Sequence, residues 1–528
     1  MRIEMRIEHD TMGPVEVPEG AYYGAQTQRA VENFPISGKT MPPELIHALG
    51  LVKWACAKAN AELGLLQSGR SPLSEEQIEA LLTACLEVAE GKFDEHFPVD
   101  VYQTGSGTST NMNANEVIAR RANEIVEAGE NCEGRLPTAG RQRAVLRTKT
   151  PIDSPCRLSP TLPPGGRQPT SAVSIHPNDH VNMGQSSNDI FPTAMIVALV
   201  IEIAFLKDAV AVANKTLQEK EYAWENVLKI GRTHLADATP MTLGQEFEGF
   251  KDQMLDAYTM VCSALRFLDS LPVGGTAIGT GINTHPDFAQ KVIGFVNEKL
   301  DEKVVLAGSG KDAGDTEFVR PFGDLSSRFN TISQRNDIVT AHSLIKSAAV
   351  CIFNVANNIR WLGSGPRAGF YEIIIPDLQP GSSIMPGKVN PVLCEALMQA
   401  CARVIGNDQT MTFCGAAGGQ FQLNVMMPVM ADTAIESVKI LSGALEVFTE
   451  KCLKGLVANE EKCREGVEKS LSLATALNPH IGYERAAEVA KEAFKTGKTV
   501  REVCLEWDVL PPERLAEVLD PMRMTRPN

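Results

Sequence analysis

Two stretches of this chain rule out most folds. Thr193–Ile230 runs 38 residues without Gly or Pro, and Asp324–Leu362 runs 39. Nothing in either segment breaks a helix locally. At 1.5 Å per residue each would extend roughly 55–60 Å, about three times an average globular helix. Phe250–Leu271 adds 22 residues of the same kind, and Val429–Leu453 carries only Gly443. Helices this long must bury one another, which predicts an extended bundle. Apolar residues surround much of their circumference, as in Met195-Ile-Val-Ala-Leu-Val and Ala348-Ala-Val-Cys-Ile-Phe. Burial on more than one face is the signature of a homo-oligomeric core.

Around this centre the texture changes. The first 130 residues look mixed, with an extended start and helical patterns at Pro43–Leu65, Ser74–Gly91 and Asn113–Gly129. Ser74-Glu-Glu-Gln is a capping box. Residues 131–171 hold seven prolines and a net charge of +5 in a chain of −15, without apolar periodicity. That composition predicts a disordered insertion. Strand signals are few, and from about Asn459 shorter helices return. The division expected is an N-terminal mixed domain (1–185), a central long-helix domain (186–457) and a small helical C-terminal domain (458–528). The fold class is mainly α.

The overall negative charge argues against nucleic acid or an anionic membrane as partner. The twelve cysteines lack C-x-x-C pairing and read as buried hydrophobes of a reducing compartment. Met1–Gly20 has five acids and no apolar core of a signal peptide. The most apolar run, Ala194–Leu206, contains Glu202 and is too short to cross a bilayer. A soluble, cytoplasmic protein is expected.

Chemistry is concentrated in four polar segments at the ends of helical patterns. Thr104-Gly-Ser-Gly-Thr-Ser-Thr-Asn-Met-Asn precedes the helix through Glu116–Glu124, and its hydroxyls and free N–H groups suit a carboxylate. Gln185-Ser-Ser-Asn-Asp lies ahead of the first long helix, with Pro192 in its opening turn. Gly231-Arg-Thr-His-Leu-Ala-Asp-Ala-Thr-Pro contains His234, the imidazole best placed to handle a proton. The fourth, Gly381-Ser-Ser-Ile-Met-Pro-Gly-Lys-Val-Asn-Pro, packs two glycines, two prolines, two hydroxyls, a lysine and an asparagine into a shaped loop before the helix Val392–Ile405. A surface turn needs only one or two such residues. It is not a P-loop, since five residues separate Gly381 from Gly387-Lys388, and Val389 follows. His176-Pro-Asn-Asp-His180 lacks metal-ligand spacing, and Gly274–Gly281 lacks the dinucleotide order. No G-x-S-x-G elbow is present. Together the four segments point to a carboxylate-binding site.

Gly381–Pro391 resembles the signature of the fumarase/aspartase superfamily. Thr104–Asn113, His176–Asn182, Ser186–Thr193, Gly231–Phe247, Gly274–Pro286, Gly387–Asp408, Phe421–Met430 and Leu477–Tyr483 are similar to class II fumarate hydratases. Pro386-Gly387-Lys388 is the fumarase form, where aspartases carry Ala. The resemblance spans nearly everything except 1–10 and 131–171. It implies a three-domain fold, a tetrameric bundle core with sites shared between subunits, and no metal or organic cofactor. The implied reaction is reversible anti addition of water to fumarate, giving (S)-malate through an aci-carboxylate. The alternatives are an aspartate ammonia-lyase and a catalytically silent scaffold of the same superfamily.

By the same resemblance Ser382 is the carbon-acid base, Lys388 supports its charge, and His234 is the general acid with Glu395 as its acidic partner. Substrate binding falls to Ser106, Gly107, Thr108, Ser186, Ser187, Asn188, Thr233, Ser383, Lys388, Val389 and Asn390. A second dicarboxylate site matches His176, Pro177, Asn178 and Asp179. Val173 stands where some relatives carry a basic residue.

Overall fold

The computed structural model describes residues 4–133, 174–306, 322–323 and 327–527. The predicted insertion 131–171 lies outside them from residue 134 on, as does Val173. Two compact units divide the chain: Met1–Phe191 with Val273–Val296, and Pro192–Pro272 with Asn297–Asn528.

The first unit opens with an antiparallel hairpin, β1 (Met5–Asp10) and β2 (Gly13–Pro18), in which Met5 lies opposite Pro18. Helices α1 (Ala25–Asn33), α2 (Pro43–Glu62), α3 (Glu75–Ala89) and α4 (Thr108–Glu133) follow. The predicted capping box starts α3: Gln77 N–H donates to Ser74 Oγ (3.2 Å) and Ser74 N–H to Gln77 Oε1 (2.9 Å). Helix α1 has no cap from its own Gly24. Glu116 of α4 supplies one, accepting the N–H groups of Gly24, Gln26 and Thr27 and the hydroxyl of Thr27. A carboxylate there satisfies orphan donors and complements the helix dipole.

Helix α5 (Ser187–Ala223) starts in the first unit and carries the chain into the second. Its 37 residues would extend about 55 Å. It begins five residues before Pro192, so that proline lies beyond the opening turn. The predicted run to Ile230 is cut short, because Leu228–Thr233 (β3) pairs with Ala236–Thr242 (β4). Lys229 of this strand is buried, with its ammonium paired to Glu246 and 3.1 Å from Glu372.

Next come α6 (Leu243–Arg266), which stops short of the expected Leu271, and α7 (Phe288–Leu306). The expected 39-residue helix is broken into α8 (Arg328–Ser333) and α9 (Asn336–Leu362) by extended backbone at Gln334 (φ −126°, ψ 154°). The break sits beside Arg335, whose wholly buried guanidinium donates from Nε to Gln334 O. Absence of Gly and Pro permits a helix but does not compel one.

Short β5 (Ile373–Ile374) leads to α10 (Val392–Ala417); the turn β6 (Gly419–Gln420) and β7 (Leu423–Asn424) precedes α11 (Met427–Phe448). Helices α6, α9, α10 and α11 pack in series. Asn214 of α5 donates to Lys251 O of α6 (2.7 Å). Buried His342 ties three helices, with Nδ1 3.0 Å from Asp408 and Nε2 3.0 Å from Ser437. After β8 (Val457–Ala458) come α12 (Glu460–Lys469), α13 (Asn478–Ile481), α14 (Tyr483–Thr496), α15 (Val500–Glu506) and α16 (Pro512–Val518). These hold their own apolar cluster around Leu477, Val489, Val500 and Val503.

Candidate active site

In the first unit two helix N-termini present hydroxyls to one another. Thr108 opens α4 and Ser187 opens α5, and their oxygens are 2.7 Å apart. Ser106 Oγ lies a further 2.7 Å from Thr108 Oγ1, so three of the predicted binding residues form one hydroxyl chain. Positive helix ends and hydroxyl donors together suit a carboxylate. The predicted polar segment at 104–113 does not stop short of its helix; its second half forms the first turns of α4. Gly107 between these residues has φ +72°, and a Cβ there would lie 2.2 Å from the Phe191 ring. Only glycine fits that approach.

The Ser186–Asn188 turn is stapled from below. Buried Asp189 accepts Ser186 N–H through Oδ1 (2.9 Å) and the N–H groups of Gly274 and Thr276 through Oδ2 (2.9 Å each). Burial pushes its carboxyl up to about 6, against the pull of those donors and of Lys53. Asn188 N–H donates to Ser186 Oγ (3.2 Å) and its side-chain amide to Ala277 O (2.8 Å). The glycine-rich segment 274–281 is therefore the support of this turn.

His176 heads a separate exposed turn with Pro177, Asn178 and Asp179. Its Nδ1 accepts the N–H groups of Asn178 and Asp179 (3.2 Å each), which places the proton of the neutral ring on Nε2. Asp179 Oδ2 lies 3.5 Å from the same Nδ1.

In the second unit, Thr233 pairs with Ala236, leaving His234 and Leu235 as a two-residue hairpin turn. Their φ values, 57° and 60°, define the type I′ geometry that normally takes Asn-Gly. Holding His and Leu there costs roughly 1–3 kcal/mol apiece. His234 stands exposed at the tip of this hairpin. Its root is fixed by charge: Arg232 donates to both oxygens of Glu372 (2.9 Å each), and Lys229 lies 3.1 Å from the same carboxylate.

Glu372 also begins the approach to the signature loop. There Gly381 N–H donates to Lys388 O (2.7 Å), and the Asn390 side-chain amide donates to Gly381 O (2.7 Å), closing a ring of backbone. Gly387 sits at φ +77°. Ser382 Oγ accepts the N–H groups of Ile384 (3.2 Å) and Met385 (3.0 Å). Two donors on one hydroxyl oxygen favour its alkoxide. Ser383, Lys388 and Val389 are exposed, and Glu395 stands half-buried in the first turn of α10. Among the described residues no hydrogen bond joins His234 to Glu395 within the chain. Nor does any group of three or more His, Cys, Asp or Glu side chains there form a metal-binding cluster.

The polar segments contain Asp189, Gln185 and Arg232, to which the sequence assigned no role, and Lys53 and Glu372 lay outside every polar segment singled out. The signal for Lys53 was a single charge inside the apolar run Leu49–Ala57. Nothing local marks Glu372 as the partner of Arg232, 140 residues away.

Polar loops that hold hydroxyl, amide and lysine donors beside long helices suit carboxylates, and the proteins that this chain matches are lyases of such substrates. A family model described as "Lyase" matches residues 13–308 and 317–406, and one described as "Fumarase C C-terminus" matches 473–526. Fumarate hydratase class II of Bacillus cereus is 41% identical over 526 residues, covering 99% of this chain and 100% of that protein. The Neisseria meningitidis protein of the same description is 43% identical over 523 residues, with 99% of each chain covered. Among solved structures, class II fumarase from Schistosoma mansoni superposes with a TM-score of 0.85 at 34% identity, covering 99% of this chain and 100% of that one. A Brucella melitensis fumarate lyase:delta crystallin bound to cobalt gives 0.82 at 37% identity, with the same coverage. The chain belongs to the class II fumarate hydratase family.

Proposed function

We propose that this chain hydrates fumarate reversibly to (S)-malate by anti addition. The observation that carries the mechanism is Ser382, whose oxygen is held by two backbone N–H groups in a loop bearing an exposed lysine. In the malate-to-fumarate direction, Ser382 takes the proton from the carbon beside a carboxylate. The resulting aci-carboxylate carries an extra negative charge, which Lys388, Asn390 and the loop N–H groups are suited to stabilise. His234 then protonates the departing hydroxyl through water, and Glu395 orients and charges its ring. Ser106, Gly107, Thr108, Ser186, Ser187, Asn188, Thr233, Ser383 and Val389 line the substrate. His176 Nε2–H, with Pro177, Asn178 and Asp179, would form a second dicarboxylate site. The steps run through protein donors alone, so we propose a metal-independent hydratase of the tricarboxylic acid cycle.

Sites shared within a homotetramer complete the proposal. Apolar side chains on the bundle helices, including Phe205, Leu255, Val350 and Phe413, are 39–66% exposed in one chain and would be covered by neighbouring subunits. Buried free cysteines such as Cys394 and Cys401 suit the reducing cytoplasm. The test is to follow fumarate absorbance with malate and then with aspartate. Turnover of malate alone is expected. Turnover of aspartate alone would make the chain an ammonia-lyase, and activity with neither would leave a scaffold.

A further inference from the structure

Lys53 sits at mid-length in α2 with its side chain wholly buried. Its Nζ donates to Asn182 Oδ1 (2.9 Å) and Gln185 Oε1 (2.8 Å). Among the described residues no carboxylate reaches ion-pairing distance of it. Burying an ammonium without a paired charge costs several kcal/mol, and a methionine would fill the same volume without that cost. Packing does not account for a cation here.

Its two acceptors bracket the turn that delivers Ser186, Ser187 and Asn188. Asn182 Oδ1 also accepts the amide of Asn111 from α4 (3.2 Å), and Gln185 Nε2 donates back to Val181 O (2.8 Å). The ammonium therefore joins α2, α4 and the turn at one point. Asp189 staples the other end of the same turn.

We propose that Lys53 is a positioning residue for dicarboxylate binding, its ammonium holding the Asn182–Gln185 turn so that Ser186–Asn188 meet a substrate carboxylate, with its positive charge set behind the N-termini of α4 and α5. This rests on the function proposed above. Three titratable groups influence Lys53: Cys56 on its own helix, Cys85 on α3 and Asp189 on α5. Burial pushes both thiols up, Cys85 to about 12, so they stay neutral. Burial pushes Lys53 down to about 8, while Asp189 pulls it upward. Charge on Lys53 is thus present at neutral pH and is lost as pH rises through about 8, so substrate affinity falls in that window.

The test compares Lys53→Met and Lys53→Arg with the native chain, reading KM, kcat and calorimetric binding of succinate across pH. For Lys53→Met we expect KM and the succinate Kd to rise roughly tenfold or more, as for a lost charged hydrogen bond, with kcat changing less. The alkaline rise in KM should vanish. Lys53→Arg should recover part of the affinity and remove the alkaline rise, because guanidinium stays charged. Native affinity in Lys53→Met, or an alkaline rise that persists in it, overturns the proposal. If Lys53→Met fails to fold, Gln185→Glu decides: a carboxylate against Nζ should move the alkaline rise to higher pH, and an unmoved rise overturns the proposal. Turnover and succinate binding keep the two ideas apart. A native chain that turns over neither malate nor fumarate sinks the assigned function, whereas Lys53 is judged by succinate binding, and a native chain that binds no succinate sinks Lys53.

Discussion

Ser382 shows how much a backbone can ask of one atom. A serine hydroxyl is a poor base, and only its environment makes proton removal from carbon conceivable. The N–H groups of Ile384 and Met385 already point at its oxygen. Removing the oxygen should therefore remove the chemistry and little else, since the side chain is only half-buried. Ser382→Ala is expected to lower kcat by about 10²–10⁴, the usual worth of a positioned base, while sedimentation shows an unchanged assembly. Near-native kcat would move the base elsewhere. The residue identities were legible because glycines, prolines and hydroxyls so closely spaced have few uses. The direction of the two N–H groups was not, because it depends on loop closure between Gly381 and Asn390.

At the scale of elements, the β3–β4 hairpin is the piece whose position matters most. His234 occupies a turn that disfavours it, so the root must hold what the tip would relax. Arg232, Lys229, Glu372 and Glu246 form a charge-balanced set there, Lys229 and Glu372 buried and Arg232 and Glu246 half-buried, with the Arg232 guanidinium also stacked 4.2 Å over the Phe370 ring. Neutralising Glu372 leaves Lys229 to Glu246 alone and takes from Arg232 the carboxylate that accepts both of its N–H groups. Glu372→Gln is expected to destabilise the chain by about 3 kcal/mol or more in urea unfolding, with kcat falling as the His234 turn loosens. A loss under about 1 kcal/mol would mean that the network is merely tolerated. This hairpin was also where sequence reasoning failed. Leu228-Lys-Ile fits a helical run as well as a strand, and the pairing with Ala236–Thr242 and the contact of Lys229 with distant Glu372 are not visible locally. The same limit applies at Gln334–Arg335, where a helix expected to run on is broken.

For the whole molecule, the fold and the proposed assembly make a prediction by mixing. Within the chain His234 makes no hydrogen bond to Glu395, and the bundle keeps apolar side chains exposed. If each site draws His234 and Ser382 from different subunits, two inactive variants can repair each other. Ser382→Ala and His234→Asn, refolded together in equal amounts, should regain about a quarter of native activity, because one site in four then receives both intact residues. No recovery would place both residues of each site in one subunit. The mixture should run as a tetramer by light scattering.

Sequence alone determined the class of fold and the polar segments. Uninterrupted helical runs and dense glycine, proline and hydroxyl clusters are local signals, carried by covalent structure and φ/ψ preference. It also determined the family, since eight matching segments spread over the chain leave little freedom. Tertiary structure alone decided where the long runs break and which side chains hold the functional ones. Lys53 reaches residues 129 and 132 positions away, and Arg232 one 140 away. Such pairings are decided by burial, which makes an unmet charge or N–H costly and so selects the one arrangement that satisfies it.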